Sequence, residues 1–253
     1  MTTITARTNA RVRRWRELVR DARARRREKS LLIEGEHLVA ACLDAGRPIK
    51  EMIVSKSAGF DAIAARSGRI PVVLSDAVFQ SIADAAAPAG VLAEISLPAS
   101  APDLKKANSC VFLEGIQDAG NVGAILRSAA AFGIRHAVLG PGCADAWSPK
   151  VLRAGMGAHF AMDIQENADL AGAIEGFGGR IACTVARGGT ALKGADLSGR
   201  VGWIFGAEGR GVSKALAALA PLKVTIPMPG AAESLNVAAA AAVCFYELSR
   251  RDA

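Results

Sequence analysis

The chain lacks most of the signatures that assign a protein quickly. Its five cysteines, Cys42, Cys110, Cys143, Cys183 and Cys244, are scattered and never fall in C-x-x-C spacing. That argues against a zinc site or disulfide framework and for a reducing compartment. The three histidines, His37, His136 and His159, form no H-x-x-x-H pair, so no metal is expected. The longest apolar stretch, Val237 to Tyr246, falls far short of the roughly twenty residues a membrane span needs. No charged n-region and apolar h-region form a leader, so a cytoplasmic protein is expected. No G-x-S-x-G elbow supports a serine hydrolase. A dinucleotide-dependent oxidoreductase is disfavoured by the absence of G-x-G-x-x-G after a strand. Aromatic residues make up only 5%, which favours close packing of elements through Ala and Gly.

Charge, by contrast, is abundant and uneven. The net charge of +7 is concentrated in residues 1–30, where eleven Lys/Arg face Glu17, Asp21 and Glu28. The rest of the chain is close to neutral. A basic arm on a neutral body points to a polyanionic partner, nucleic acid first, because phosphates reward clustered Arg. A solvated, Arg-rich amphipathic helix is the plainer alternative.

Pattern changes divide the chain. Residues 1–96 read as a basic helix and a small α/β unit. Ile33–Glu36 opens a helical pattern that Gly46 and Pro48 stop. Short strands are expected at 52–54, 70–74 and 91–95, with Asp76 capping a helix through Val78, Phe79 and Ile82. Residues 97–109, rich in Pro, Ala, Ser and charge, read as a linker. Over 110–253, strands at 110–113, 136–139, 180–185, 201–205 and 223–226 alternate with helices at 122–132, 149–156, 170–177, 212–219 and 235–250. That alternation implies an α/β domain with a parallel sheet covered on both faces.

Three loops lie at the carboxyl ends of expected strands, the edge where open α/β sheets bind ligands. The first runs Leu113-Glu-Gly-Ile-Gln-Asp-Ala-Gly-Asn121-Val-Gly-Ala-Ile-Leu-Arg127. Arg127 there could meet a phosphate or a developing oxyanion, or simply balance Asp118. The second, Gly206-Ala-Glu208-Gly-Arg-Gly211, lacks the Lys-Ser/Thr ending of a phosphate loop. Its glycines still allow close backbone approach to a ligand. The third, Ile226-Pro-Met-Pro-Gly-Ala-Ala-Glu-Ser234-Leu235-Asn236, leads into an Ala-rich helix for which Ser234 is the expected N-cap.

Taken in order, Asn121…Arg127, Gly206-x-Glu208 and Ser234-Leu-Asn236 resemble the three signature motifs of SpoU-type (TrmH-like) RNA 2′-O-ribose methyltransferases of the SPOUT superfamily. Residues 9–18, 30–36, 79–82 and 88–91 resemble that family's substrate-binding domain. The resemblance spans nearly the whole chain and makes the basic start part of a domain.

The resemblance implies a small N-terminal α/β substrate-binding domain and a C-terminal parallel-sheet domain threaded into a deep trefoil knot. General topology rules would never propose the knot. It implies a homodimer, with each site completed near the partner. It implies S-adenosylmethionine as cofactor, held at Gly206, Ile226 and Leu235. The matching polar positions are Asn121, Arg127, Glu208, Ser234 and Asn236. Arg127 is better read as stabilising a nascent alkoxide than as a base, because a guanidinium does not readily lose its proton. Ser234 and Asn236 would orient the loop and the ribose, and Glu208 would hold loop geometry. The partner would be RNA, ribosomal in preference to transfer RNA. Ala207, Gly155 and Ala89 depart from the residues common in the family (Asn, Ser and Gln). A non-catalytic RNA-binding or ribosome-assembly factor on the same scaffold is the alternative.

Overall fold

The structure, a computed structural model, describes residues 3–59, 61–98, 102–231 and 233–251. Its contacts group residues 1–99 with 147–160 in one unit and 100–146 with 161–253 in another.

In the first unit, four strands form a mixed sheet: β1 (Ser30–Glu34), β2 (Ile49–Ser55), β3 (Val72–Leu74) and β4 (Val91–Ser96), in the order β1-β4-β2-β3. Only β2 and β3 pair in parallel. The sequence pattern had placed the start of a helix at Ile33. Instead, Leu31, Leu32 and Ile33 are buried in β1, and Gly35, at φ +93°, turns the chain into α3 (Glu36–Asp44). Asp76 is not a cap. Ser75 precedes α5 (Asp76–Ile82), the helix after α4 (Asp61–Ser67), and the Asp76 carboxylate accepts hydrogen bonds from Ser55 and Ser57.

The basic start is not an arm. It folds as α1 (Ala10–Arg20) and α2 (Ala22–Glu28), broken at Asp21. Val12, Trp15, Leu18 and Val19 on α1 pack with Ile53, Phe79 and Leu92, so amphipathic spacing, not charge, places this helix. Several of its arginines are spent internally. Arg14 grips buried Glu94 through two hydrogen bonds, 2.8 and 2.7 Å, and Glu28 through a third, 2.6 Å. The Trp15 indole N–H donates to Glu94 at 3.2 Å. Arg25 caps the carbonyls of Leu18 and Val19. Arg13, Arg20 and Arg23 remain exposed with no side-chain partner among the described residues.

Helix α7 (Pro149–Gly155), which the sequence pattern assigned to the C-terminal domain, belongs by its contacts to this unit. It touches β1, and its Arg153 pairs with Asp84 at 2.7 Å.

The second unit carries a seven-stranded sheet, every neighbouring pair parallel: β5 (Ser109–Glu114), β6 (His136–Leu139), β7 (Asp163–Gln165), β8 (Arg180–Thr184), β9 (Thr190–Ala191), β10 (Val201–Gly206) and β11 (Leu222–Thr225). Their order is β7-β6-β5-β10-β8-β11-β9. The strands at its centre are apolar on both faces because helices cover both. Those helices include α6 (Ala119–Ala131), α8 (Leu170–Phe177), α9 (Lys214–Ala218) and α10 (Val237–Ser249). Strands β7 and β9 are too short for a sequence pattern to reveal.

Candidate active site

The sheet order creates the site. From β5 the chain steps outward to β6 and β7, then returns on the other side of β5 through β8 and β10. The order therefore reverses between β5 and β10, and a crevice opens at their carboxyl ends. In register, Glu114 on β5 faces Gly206 on β10. The loops that follow, 115–118 and 207–213, therefore leave the sheet side by side. The 226–236 loop, after β11, reaches the same edge.

Three polar side chains stitch these loops together. The Asn121 amide donates to Glu208 Oε1. Asn236 Nδ2 donates to Asn121 Oδ1 at 3.0 Å and to Glu208 Oε1 at 3.3 Å. Each partner sits on a separate element, so the arrangement exists only if all three loops meet. Local chemistry prepares it. Asp118 caps α6 by accepting from Asn121 N at 2.8 Å, which places Asn121 in the first helical turn. The cap of α10 is Asn236, whose Oδ1 accepts from Ala238 N at 2.9 Å and Ala239 N at 3.3 Å. Ser234, the cap expected from sequence, lies two residues earlier. Either side chain can cap, and the observed start of the helix selects Asn236. With its oxygen capping and its amide donating to the cluster, Asn236 holds the loops together.

Gly206 fixes the second loop by what it lacks. A Cβ there would overlap the Gly211 carbonyl, because the loop folds back on itself and Gly211 N donates to Ala207 O at 2.8 Å. Glu114 anchors the far end of the loop by accepting from Ser213 N at 2.7 Å.

Two cavities adjoin at this loop. One, about 680 Å³, is bounded by Cys183–Ala186, Gly206–Val212 and Ser234–Val237. It contains Gly206 and Leu235 of the expected cofactor positions; Ile226, half-buried, lies outside its lining. The other, about 600 Å³, is bounded by Glu114–Asp118 and by Ala207, Glu208, Arg210, Gly211 and Ser213. Burial raises the Cys183 thiol above its ordinary range, which disfavours the thiolate on this cavity wall. Arg127 stands apart. It is exposed on α6, six residues beyond Asn121, and borders neither cavity. It makes no ion pair with Asp118 and no hydrogen bond with any described residue. Arg210, in the 207–213 loop, borders both cavities; sequence reasoning passed over it because it fits no phosphate-loop pattern.

The parallel sheet and the three motif loops at its ligand edge match the arrangement that the motif resemblance implies for a SPOUT methyltransferase. Residues 108–246 match the model of the SpoU rRNA Methylase family, and residues 9–93 match that of the MRM3-like substrate binding domain. The chain belongs to the SpoU rRNA methylase family. It is 31% identical over 242 residues to the Bacillus subtilis 23S rRNA (guanosine(2553)-2′-O)-methyltransferase RlmP, covering 95% of this chain and 96% of that one. The AdoMet-bound rRNA methyltransferase from Sinorhizobium meliloti superposes with a TM-score of 0.84 at 28% identity, covering 99% of this chain and 98% of that one. A solved RNA 2′-O ribose methyltransferase gives a TM-score of 0.82 at 26% identity, with 99% of each chain covered.

Proposed function

We propose that this protein methylates a ribose 2′-hydroxyl in ribosomal RNA, with S-adenosylmethionine as methyl donor. The observation that carries the reading is the meeting of Asn121, Glu208 and Asn236 beside a cavity of about 680 Å³. That volume lies in the range of small-molecule cofactor sites, roughly 300–1,000 Å³. Its walls are largely backbone and small side chains (Ala186, Gly206, Ala207, Ala217), which suits a ligand gripped by main-chain groups. Bound there, the cofactor supplies an electrophilic methyl on a sulfonium.

The chain's own residues do the rest. The amide–carboxylate cluster keeps the three loops in one geometry, so that acceptor and donor can be held in line. Ser234 lines the cavity, and its hydroxyl, which makes no hydrogen bond with any described residue, orients the ligand. The Arg127 guanidinium stabilises the alkoxide that forms as the 2′-hydroxyl passes its proton to solvent. Because Arg127 borders neither cavity within one chain, the reading includes a homodimer whose second copy completes the site. An apolar surface fits this: Leu235, Val243 and Tyr246, at and on α10, are 40, 39 and 54% exposed, and Tyr246 packs edge-on to Phe132. The reading also includes a trefoil knot. It is supported by β10 lying between β5 and β8 and by α10 returning onto α6. On the N-terminal domain, exposed Arg13, Arg20 and Arg23 supply phosphate contacts.

The test is Arg127→Ala. Calorimetry should show cofactor affinity unchanged, while methylation of ribosomal RNA falls by about a hundredfold or more. Unchanged turnover would refute the role. Absence of cofactor binding by the unaltered protein would favour a non-catalytic RNA-binding factor.

A further inference from the structure

Methyl transfer between two molecules needs two contiguous sites, and the second unit holds two cavities that share a wall. Four residues, Ala207, Glu208, Arg210 and Gly211, border both. If the cavity closed by Ser234–Val237 takes the cofactor, the cavity between 114–118 and 207–213 is left for the acceptor. Its lining carries three carboxylates, Glu114, Asp118 and Glu208, and a single cation, Arg210.

The acceptor ribose is flanked by phosphates. Three carboxylates repel a phosphate unless a cation offsets them, and Arg210 is the one basic side chain among the described residues lining either cavity. The carboxylates are already partly committed. Glu114 accepts from Ser213 N, Asp118 caps α6, and Glu208 takes the two amides. Arg210 is committed to nothing. It is exposed and makes no hydrogen bond or ion pair with any described residue, despite the acids around it. Gly209 at φ +76° and Gly211 at φ +67° flank it, so the loop turns sharply on either side.

We propose that the Glu114–Ser213 cavity receives the acceptor nucleotide and that Arg210 grips a phosphate adjoining the methylated ribose. This rests on the methyltransferase reading of the neighbouring cavity. Arg210 acts there as a positioning residue through a planar, two-pronged contact, with the carboxylates taking N–H and O–H donors of the same nucleotide.

The test compares the unaltered protein with Arg210→Gln and Arg210→Lys. Binding of unmodified ribosomal RNA transcribed in vitro is titrated against salt, and S-adenosylmethionine binding is measured by calorimetry. Arg210→Gln should weaken RNA binding roughly tenfold, the effect of one charge-assisted contact. It should also lower the slope of log affinity against log salt by roughly 0.7 to 0.9, one phosphate's worth. Arg210→Lys should keep the slope and recover part of the affinity. Cofactor affinity should not change in either. Loss of cofactor affinity with RNA binding intact would assign Arg210 to the cofactor carboxylate and overturn the proposal. So would no change in either ligand, or no binding of this RNA by the unaltered protein. Failure of the unaltered protein to bind cofactor would instead sink the underlying reading, while a shift in the RNA slope would still register the phosphate contact.

Discussion

Asn236 offers a sharp test of how the three loops are held. Asn236→Asp keeps an oxygen at the helix cap, since Asp and Asn cap equally well. It removes the amide that donates to Asn121 Oδ1 and Glu208 Oε1 at 3.0 and 3.3 Å. The lost hydrogen bonds cost about 1 kcal/mol net at an exposed site. A new carboxylate facing that of Glu208 across about 3.3 Å adds roughly 1 kcal/mol of repulsion at water-like screening. The sum, about 2 kcal/mol, corresponds to roughly a thirtyfold weaker cofactor Kd, because the cavity forms only when the loops meet. Helix content should not change. Adding Glu208→Gln to Asn236→Asp reverses the donor and acceptor and removes one charge, so binding should recover to within a fewfold. The assay is calorimetry with S-adenosylmethionine on both variants, alongside thermal unfolding. Wild-type affinity in the single variant, or a double variant no better than the single, would refute the loop-stitching argument.

Other outcomes follow from the same geometry. Gly206→Ala drives a methyl into the Gly211 carbonyl; stability should fall by about 1 to 3 kcal/mol, with cofactor binding lost, both measurable in one thermal-shift series. Trp15→Ala empties the centre of the first unit and should cost about 3 to 5 kcal/mol in denaturant unfolding, so truncating the basic start would unfold that unit instead of merely loosening RNA. Glu94 gives a pH signature. Burial alone would raise its carboxyl, but hydrogen bonds from Arg14, Ser30 and Trp15 outweigh burial and hold it below its ordinary value. A depressed carboxylate stabilises above the unfolded pKa of 4.5, and that stability drains away as pH falls through the folded value. Glu94→Gln should therefore lower the melting temperature at neutral pH, with the gap to wild type closing under acid; a gap independent of pH would contradict the assignment.

Much of the fold was legible along the chain because apolar strands, helical periodicity and Gly or Pro breaks are local properties. The sequence reading placed β6 and α8 at their observed boundaries and most other elements of the second unit to within a few residues. It failed where local pattern is ambiguous. Ser30–Glu34 has too few residues to separate a buried strand from the first turn of a helix, and only pairing with β4 decides the matter. A run of arginines looks like a solvated arm until Trp15 and Leu18 find a sheet to bury against.

The same division holds at the site. Sequence alone singled out the candidates, because Asn121, Arg127, Glu208, Ser234 and Asn236 stand in three ordered motifs whose residue types and spacing are written in the chain. Tertiary structure decided what each can do. Convergence of loops 87 and 115 residues apart spends Asn121 and Asn236 on Glu208, leaves Arg127 outside, and sets Arg210 between two cavities. The reason is physical: a hydrogen bond depends on distance in space, and strand order, which no local pattern encodes, sets that distance.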